Sequence, residues 1–162
     1  MRIARALFLP LVLLGAACGD GAGDIEPRDG AWSYMGSAAV DDTCMLDELT
    51  VDMPGTFTIT NNGDGTFTVN DTQNMFDCTI DGSSFSCPSR LAGENDIGAQ
   101  FSLDAVVRYN VSASGSFESE TQMSGRQTVV VNCDGADCAS FEALVMVTTP
   151  CGWAQDFTAS AK

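Results

Sequence analysis

The sequence contains no histidine. That removes the usual general base of Ser-His-Asp and Cys-His arrangements and the commonest nitrogen ligand of zinc. Basic residues are nearly as scarce. Arg2 and Arg5 stand at the start, and only Arg28, Arg90, Arg108, Arg126 and Lys162 follow. Against these five stand 22 acidic residues, an excess of 17 negative charges beyond the first apolar run. Such a surface repels nucleic acid and anionic lipid head groups. The chain also lacks cysteines at two-residue spacing, Gly-rich phosphate fingerprints and a nucleophile elbow. Two carboxylates suffice for glycoside hydrolysis, and Glu118 and Glu120 sit two positions apart. They alternate with Phe117 and Ser119, however, as the solvated side of a half-buried strand does. The expectation is a chain that is not an enzyme, with no catalytic residues, no metal site and no cofactor.

No apolar run reaches the roughly 20 residues of a membrane-spanning helix. The one over 7–18 follows Arg2 and Arg5, ends in small residues and gives way to Gly19-Asp20-Gly21, the layout of a secretory signal. Its last residues, Leu14-Gly15-Ala16-Ala17-Cys18, resemble the lipobox of bacterial lipoproteins, with Gly15 where that motif usually has leucine. The resemblance implies cleavage after Ala17 and acylation of Cys18 as the mature N-terminus. It further implies export, a lipid anchor in the bacterial cell envelope, with the outer membrane as the expected location, and a membrane contact made by lipid rather than by protein surface. The competing reading is an ordinary secretory signal, with Cys18 a plain thiol.

Setting Cys18 aside turns seven cysteines into six, an even set that in an oxidising compartment reads as a disulfide framework. In the stretch 78–87, a turn centred on Gly82-Ser83 places Ile80 against Phe85 and Cys78 against Cys87, whereas an Asp81-Gly82 turn loses the apolar pair. Cys133 and Cys138 flank an Asp-Gly turn, which leaves Cys44 for Cys151. The alternative joins Cys44 to Cys133 and Cys138 to Cys151.

Three parts are expected: a signal over 1–17, a flexible acidic Gly-rich tether over 18–30, and one disulfide-stapled β domain over 31–162. From Ala31 on, short alternating runs are punctuated by turn residues, the pattern of antiparallel strands. Over 101–114, Phe101, Leu103, Ala105, Val107, Tyr109, Val111 and Ala113 share one face. Further strands are expected over 116–123, 126–133, 140–149 and 154–160, with Gly115 and Ser124-Gly125 as breaks. Around Asn62-Gly63-Asp64 both arms carry apolar residues at odd positions, so the loop has odd length. Three residues there would pair Ile59 with Phe67 and Phe57 with Val69.

The fold class expected is all-β: an antiparallel up-and-down meander of about eight to ten strands closing into a barrel, with a β-sandwich as the alternative. Gly30-Ala31-Trp32 at the first strand resembles the Gly-x-Trp start of lipocalins and lipocalin-like barrels. That resemblance implies a small apolar ligand held among residues such as Trp32, Phe57, Phe67, Leu103 and Tyr109. The plainer reading makes Trp32 a plug of the core. Two functions follow: a non-catalytic envelope module that is structural or binds a protein partner, or a carrier of a small apolar molecule. The volume inside the barrel separates them.

Overall fold

The computed structural model describes residues 25–45, 53–71 and 75–162, so the expected signal over 1–17 and Cys18 lie outside the described residues. Eight antiparallel strands close on themselves in sequence order. They are β1 (Gly30–Gly36), β2 (Met53–Asn61), β3 (Thr66–Asn70), β4 (Met75–Asp81), β5 (Ser84–Asp96), β6 (Val106–Ser119), β7 (Gln122–Asp134) and β8 (Cys151–Ala161), with helices α1 (Gly98–Phe101) and α2 (Cys138–Val145) between strands. Closure comes from β1 on β8, where Trp32 faces Ala161 and Gly36 faces Phe157. The meander barrel expected from alternation is the fold found, and closure leaves no strand edge unpaired along the seam.

Alternation places the core. Trp32, Ile59, Phe67, Phe85, Phe117 and Met123 are buried in one cluster near the tight hairpin turns. Near the long connections, Cys44, Val107, Val131 and Cys151 form a second. At the tight-turn end, residues 25–29 form a strap across the opening. Ile25 N–H donates to the Gly82 carbonyl and Arg28 N–H to that of Glu120, while Asp29 accepts from Asn61 N–H. Pro27 is among the most deeply buried side chains. Residues 25–30, the last part of the stretch expected to be a tether, therefore belong to the barrel's cap and its first strand.

The second hairpin follows the expected register, with Ile80 opposite Phe85 and Gly82 at a φ of 62°. The first slides by two residues. Ile59 faces Val69 and Asn61 faces Phe67, so the loop is odd but has five residues rather than three. Gly65 is the reason: it takes a φ of 76°, as Gly63 takes 75°, and a left-handed residue belongs in the loop. Asn62 N–H then reaches the Thr66 carbonyl and Gly63 N–H the Asn61 side chain.

Three further expectations are corrected. The strand expected over 101–114 begins only at Val106, because α1 and a left-handed Ser102 turn the chain at Phe101. Leu103 thus lies in a connection. That connection is tied to the one after β7, with Asp104 N–H on Asp137 and Ala136 N–H on Asp104. The strand expected over 140–149 is instead α2, in a stretch rich in the helix formers Ala139, Glu142, Ala143 and Leu144. Thr149 donates both its N–H and its hydroxyl to Glu142, which fastens α2 to the start of β8. Finally, Gly115 and Gly125 do not break strands. They face each other within β6 and β7, and the turn lies at Glu120-Thr121. A Cβ on Gly125 would sit 2.5 Å from the Ser114 carbonyl oxygen across the ladder, 3.0 Å from the Phe157 ring and 3.1 Å from that of Phe85. The two glycines let the backbones of β6 and β7 approach closely and leave room for the Phe85 ring, with that of Phe157 also against Gly125.

Candidate functional site

The disulfides are Cys44–Cys151, Cys78–Cys87 and Cys133–Cys138, with Cα separations of 5.1, 4.2 and 5.8 Å. The alternative, Cys44 with Cys133 and Cys138 with Cys151, is thereby excluded. Cys44–Cys151 is the long-range link. Beyond β1 the chain runs on beside β8, with Val40 bridged to Ala154 and Thr43 N–H bonded to the Gly152 carbonyl, and this delivers Cys44 to the first residue of β8.

Against the first core cluster lies a cavity of about 110 Å³, open on one side. Phe57, Phe67, Phe85 and Phe157 line it, with Phe76 and Val111 on another part of the wall. Rings meet edge to face on its floor, Phe67 lying 5.5 Å from Phe117 and 6.0 Å from Phe85. Gln127, Asp71 and Tyr34 bring polar groups to the lining.

Of the five residues expected to line a site, Phe57 and Phe67 do so. Trp32 does not. It is fully buried against Phe57, stacked at 6.3 Å, and its Nε1–H donates to the Arg28 carbonyl at 3.0 Å, so it joins the core to the strap. Tyr109 packs in the second cluster, and Leu103 lies in the connection after α1. Glu118 and Glu120 are not a facing pair: Glu118 accepts from the Ser124 hydroxyl, and Glu120 sits in the β6–β7 turn with its carbonyl bound by the strap.

Arg90 is the residue that alternation missed. Phe85 and Cys87 face inward, so simple alternation sends Ser89 inward and Arg90 out. The ladder slips between Cys87 and Arg90, across Pro88 and Ser89, and brings Arg90 opposite the inward-facing Val111. Its guanidinium carbon lies 2.9 Å from the centre of the Phe76 ring. Burial pushes the Arg90 pKa below the ordinary arginine value, while the charge of Asp71 pulls it back up. The readable signal was Pro88, since proline inside a strand marks a bulge or an edge.

The other displaced titrations belong to structural pairs. Hydrogen bonding to Asp156 raises Arg126 and the same bond lowers Asp156, and the two bonds from Thr149 lower Glu142. Among the described residues no group of three or more cysteine, aspartate or glutamate side chains is arranged to hold a metal ion. In comparisons with known protein families, curated proteins and solved structures, nothing matches this chain.

Proposed function

We propose that this chain is an exported, lipid-anchored protein of the bacterial cell envelope whose barrel works without catalysis, as a structural or protein-binding module. One observation carries the reading: three disulfides use six of the seven cysteines and leave Cys18 as the odd one. Disulfides of this density belong to oxidising compartments, and the remaining cysteine is the one at the end of the signal. Its placement also orients the barrel. Only six residues lie between Cys18 and Ile25, where the strap begins, so the tight-turn end stands within roughly 25 Å of the anchor. The opposite end, where Met45, Phe101, Leu144 and Met146 are exposed, points away from the membrane and is the face offered to a partner.

Cys18→Ser is the test. The wild-type chain should sediment with membranes and leave them only in detergent, whereas the variant should be found free in the soluble envelope fraction with its disulfides intact. A wild-type chain that is soluble after export would overturn the reading.

The cavity favours a second reading, binding of a small molecule inside the barrel. At about 110 Å³ it falls below the roughly 300–1,000 Å³ of sites for drug-sized ligands, and it resembles the engineered apolar cavities of about 150 Å³ that admit benzene. Any occupant is then no larger than a single ring with a short substituent.

A further inference from the structure

Gln127 is a polar residue in an apolar series. The inward face of β7 runs Met123, Gly125, Gln127, Val129, Val131, of which Met123, Val129 and Val131 are buried. Alternation turns the Gln127 side chain into the barrel, and it lines the cavity. Gln155 stands opposite on β8 and donates to the Ser37 carbonyl. Gln127 differs, because among the described residues its side chain makes no hydrogen bond. Nor is its amide sealed off: the only buried side-chain polar atoms without a partner among those residues are Nε and Nη2 of Arg90. The amide therefore opens on the cavity with its donors and its acceptor unused, and whatever fills that space, water or a ligand group, satisfies it.

What adjoins the amide is aromatic. At Gly125, the preceding inward residue, the Phe157 and Phe85 rings lie 3.0 and 3.1 Å from where a Cβ would stand, and both rings line the cavity. Across the ladder from Gln127, Ala113 adds only a methyl to the lining. The aromatic wall and the amide thus meet at one part of the same space, which suits a flat ring carrying one polar substituent. Charge selects against ions. Asp71 is the one charged residue of the lining, and its charge acts on Arg90, so an anion meets repulsion and a cation competes with Arg90. We propose that the cavity takes a neutral phenol, its ring against Phe85 and Phe157 and its hydroxyl hydrogen-bonded to the Gln127 side-chain amide. This rests on the small-molecule reading above and adds the chemical class of the ligand.

Titration calorimetry of the oxidised mature chain in detergent, with phenol, benzene, benzoate and benzylammonium, tests the assignment. Phenol should bind about threefold to tenfold more tightly than benzene, the scale of one net hydrogen bond, and more tightly than either ion. Gln127→Met, which keeps the length of the side chain and removes the amide, should abolish the preference for phenol and leave benzene binding as before. Because that amide has no partner among the described residues, the variant should also unfold at no lower urea concentration than the wild type. A variant that fails to fold would show that the barrel holds the amide, and overturns the assignment. So does a preference for phenol that survives in Gln127→Met, or one lost in Tyr34→Phe instead, since Tyr34 carries the other neutral polar group of the lining. Benzene bound as tightly as phenol, or an ion bound more tightly than phenol, overturns the phenol class and spares the cavity. Failure of all four probes to bind the wild-type chain overturns the small-molecule reading as well.

Discussion

The barrel's two ends are closed by different physics. At the tight-turn end the strands supply their own closure: inward aromatic side chains fill the space, Trp32 plugs it, and residues 25–29 bond across three hairpins. At the other end the strands run out into long connections, and closure depends on links between segments distant in sequence. Cys44 meets Cys151, Asp104 and Asp137 tie two connections together, and Phe141 of α2 packs with Val147 on the second cluster. One end is stabilised by burial and the other by cross-links, so perturbations should separate them.

Removing Cys44–Cys151 by a double change to alanine should have the largest effect. Closing a loop of 107 residues is worth about 5 kcal/mol in the chain-entropy model, against about 2 kcal/mol for the five-residue separation of Cys133 and Cys138. Urea unfolding of the two double variants should rank them in that order, and equal losses would show that loop length does not govern the cross-linked end.

Trp32→Ala comes next. Truncating a fully buried tryptophan should cost about 3–5 kcal/mol, with the same change at half-buried Tyr109 costing about 1–2 kcal/mol. If the two losses are alike, the tight-turn end holds no special share of the burial. Gly125→Ala should cost about 1–3 kcal/mol, because the new methyl meets the Ser114 carbonyl oxygen first and then the Phe157 and Phe85 rings. A neutral result would mean that the β6 backbone and the two rings have room to move.

The smallest effect concerns pH. Two hydrogen bonds from Thr149 hold the Glu142 carboxyl below its ordinary range, and the bond from Arg126 does the same for Asp156. A depressed folded-state pKa adds stability that is present above the unfolded value of about 4 and is lost as pH falls through the folded value. Thermal midpoints should therefore decline below about pH 4, and less steeply in Glu142→Gln. An identical acid slope in that variant would show that the α2 latch does not contribute.

The contrast between the ends also explains what the sequence disclosed. Period-2 alternation and Gly-first turn chemistry are local, so the hairpin joining Cys78 to Cys87 could be placed in register from ten residues, and the order and closure of the strands followed. The connections obey distant partners. Nothing within 101–105 or 140–149 announces that Asp104 will be held by Asp137, or that Glu142 will be held by Thr149, and alternation there mimicked strand. Gly115 and Gly125 misled for a related reason, since a glycine that makes room for a ring on another strand looks like a turn when read alone. For the cavity, alternation found Phe57 and Phe67; in β5 it sent Arg90 outward, away from the Phe76 ring it covers, because a bulge at Pro88 reverses parity within a single strand. Trp32 was correctly a plug on the plainer of its two readings.

The proposed anchor and the disulfide framework can be tested together by mass spectrometry of a non-reduced digest of the chain extracted in detergent from the cells that make it. The account predicts an N-terminal peptide that begins at Cys18 and carries acyl mass, together with the cross-linked pairs Cys44–Cys151, Cys78–Cys87 and Cys133–Cys138. An unmodified Cys18, residues retained before it, or Cys18 joined to any of the other six cysteines would contradict it.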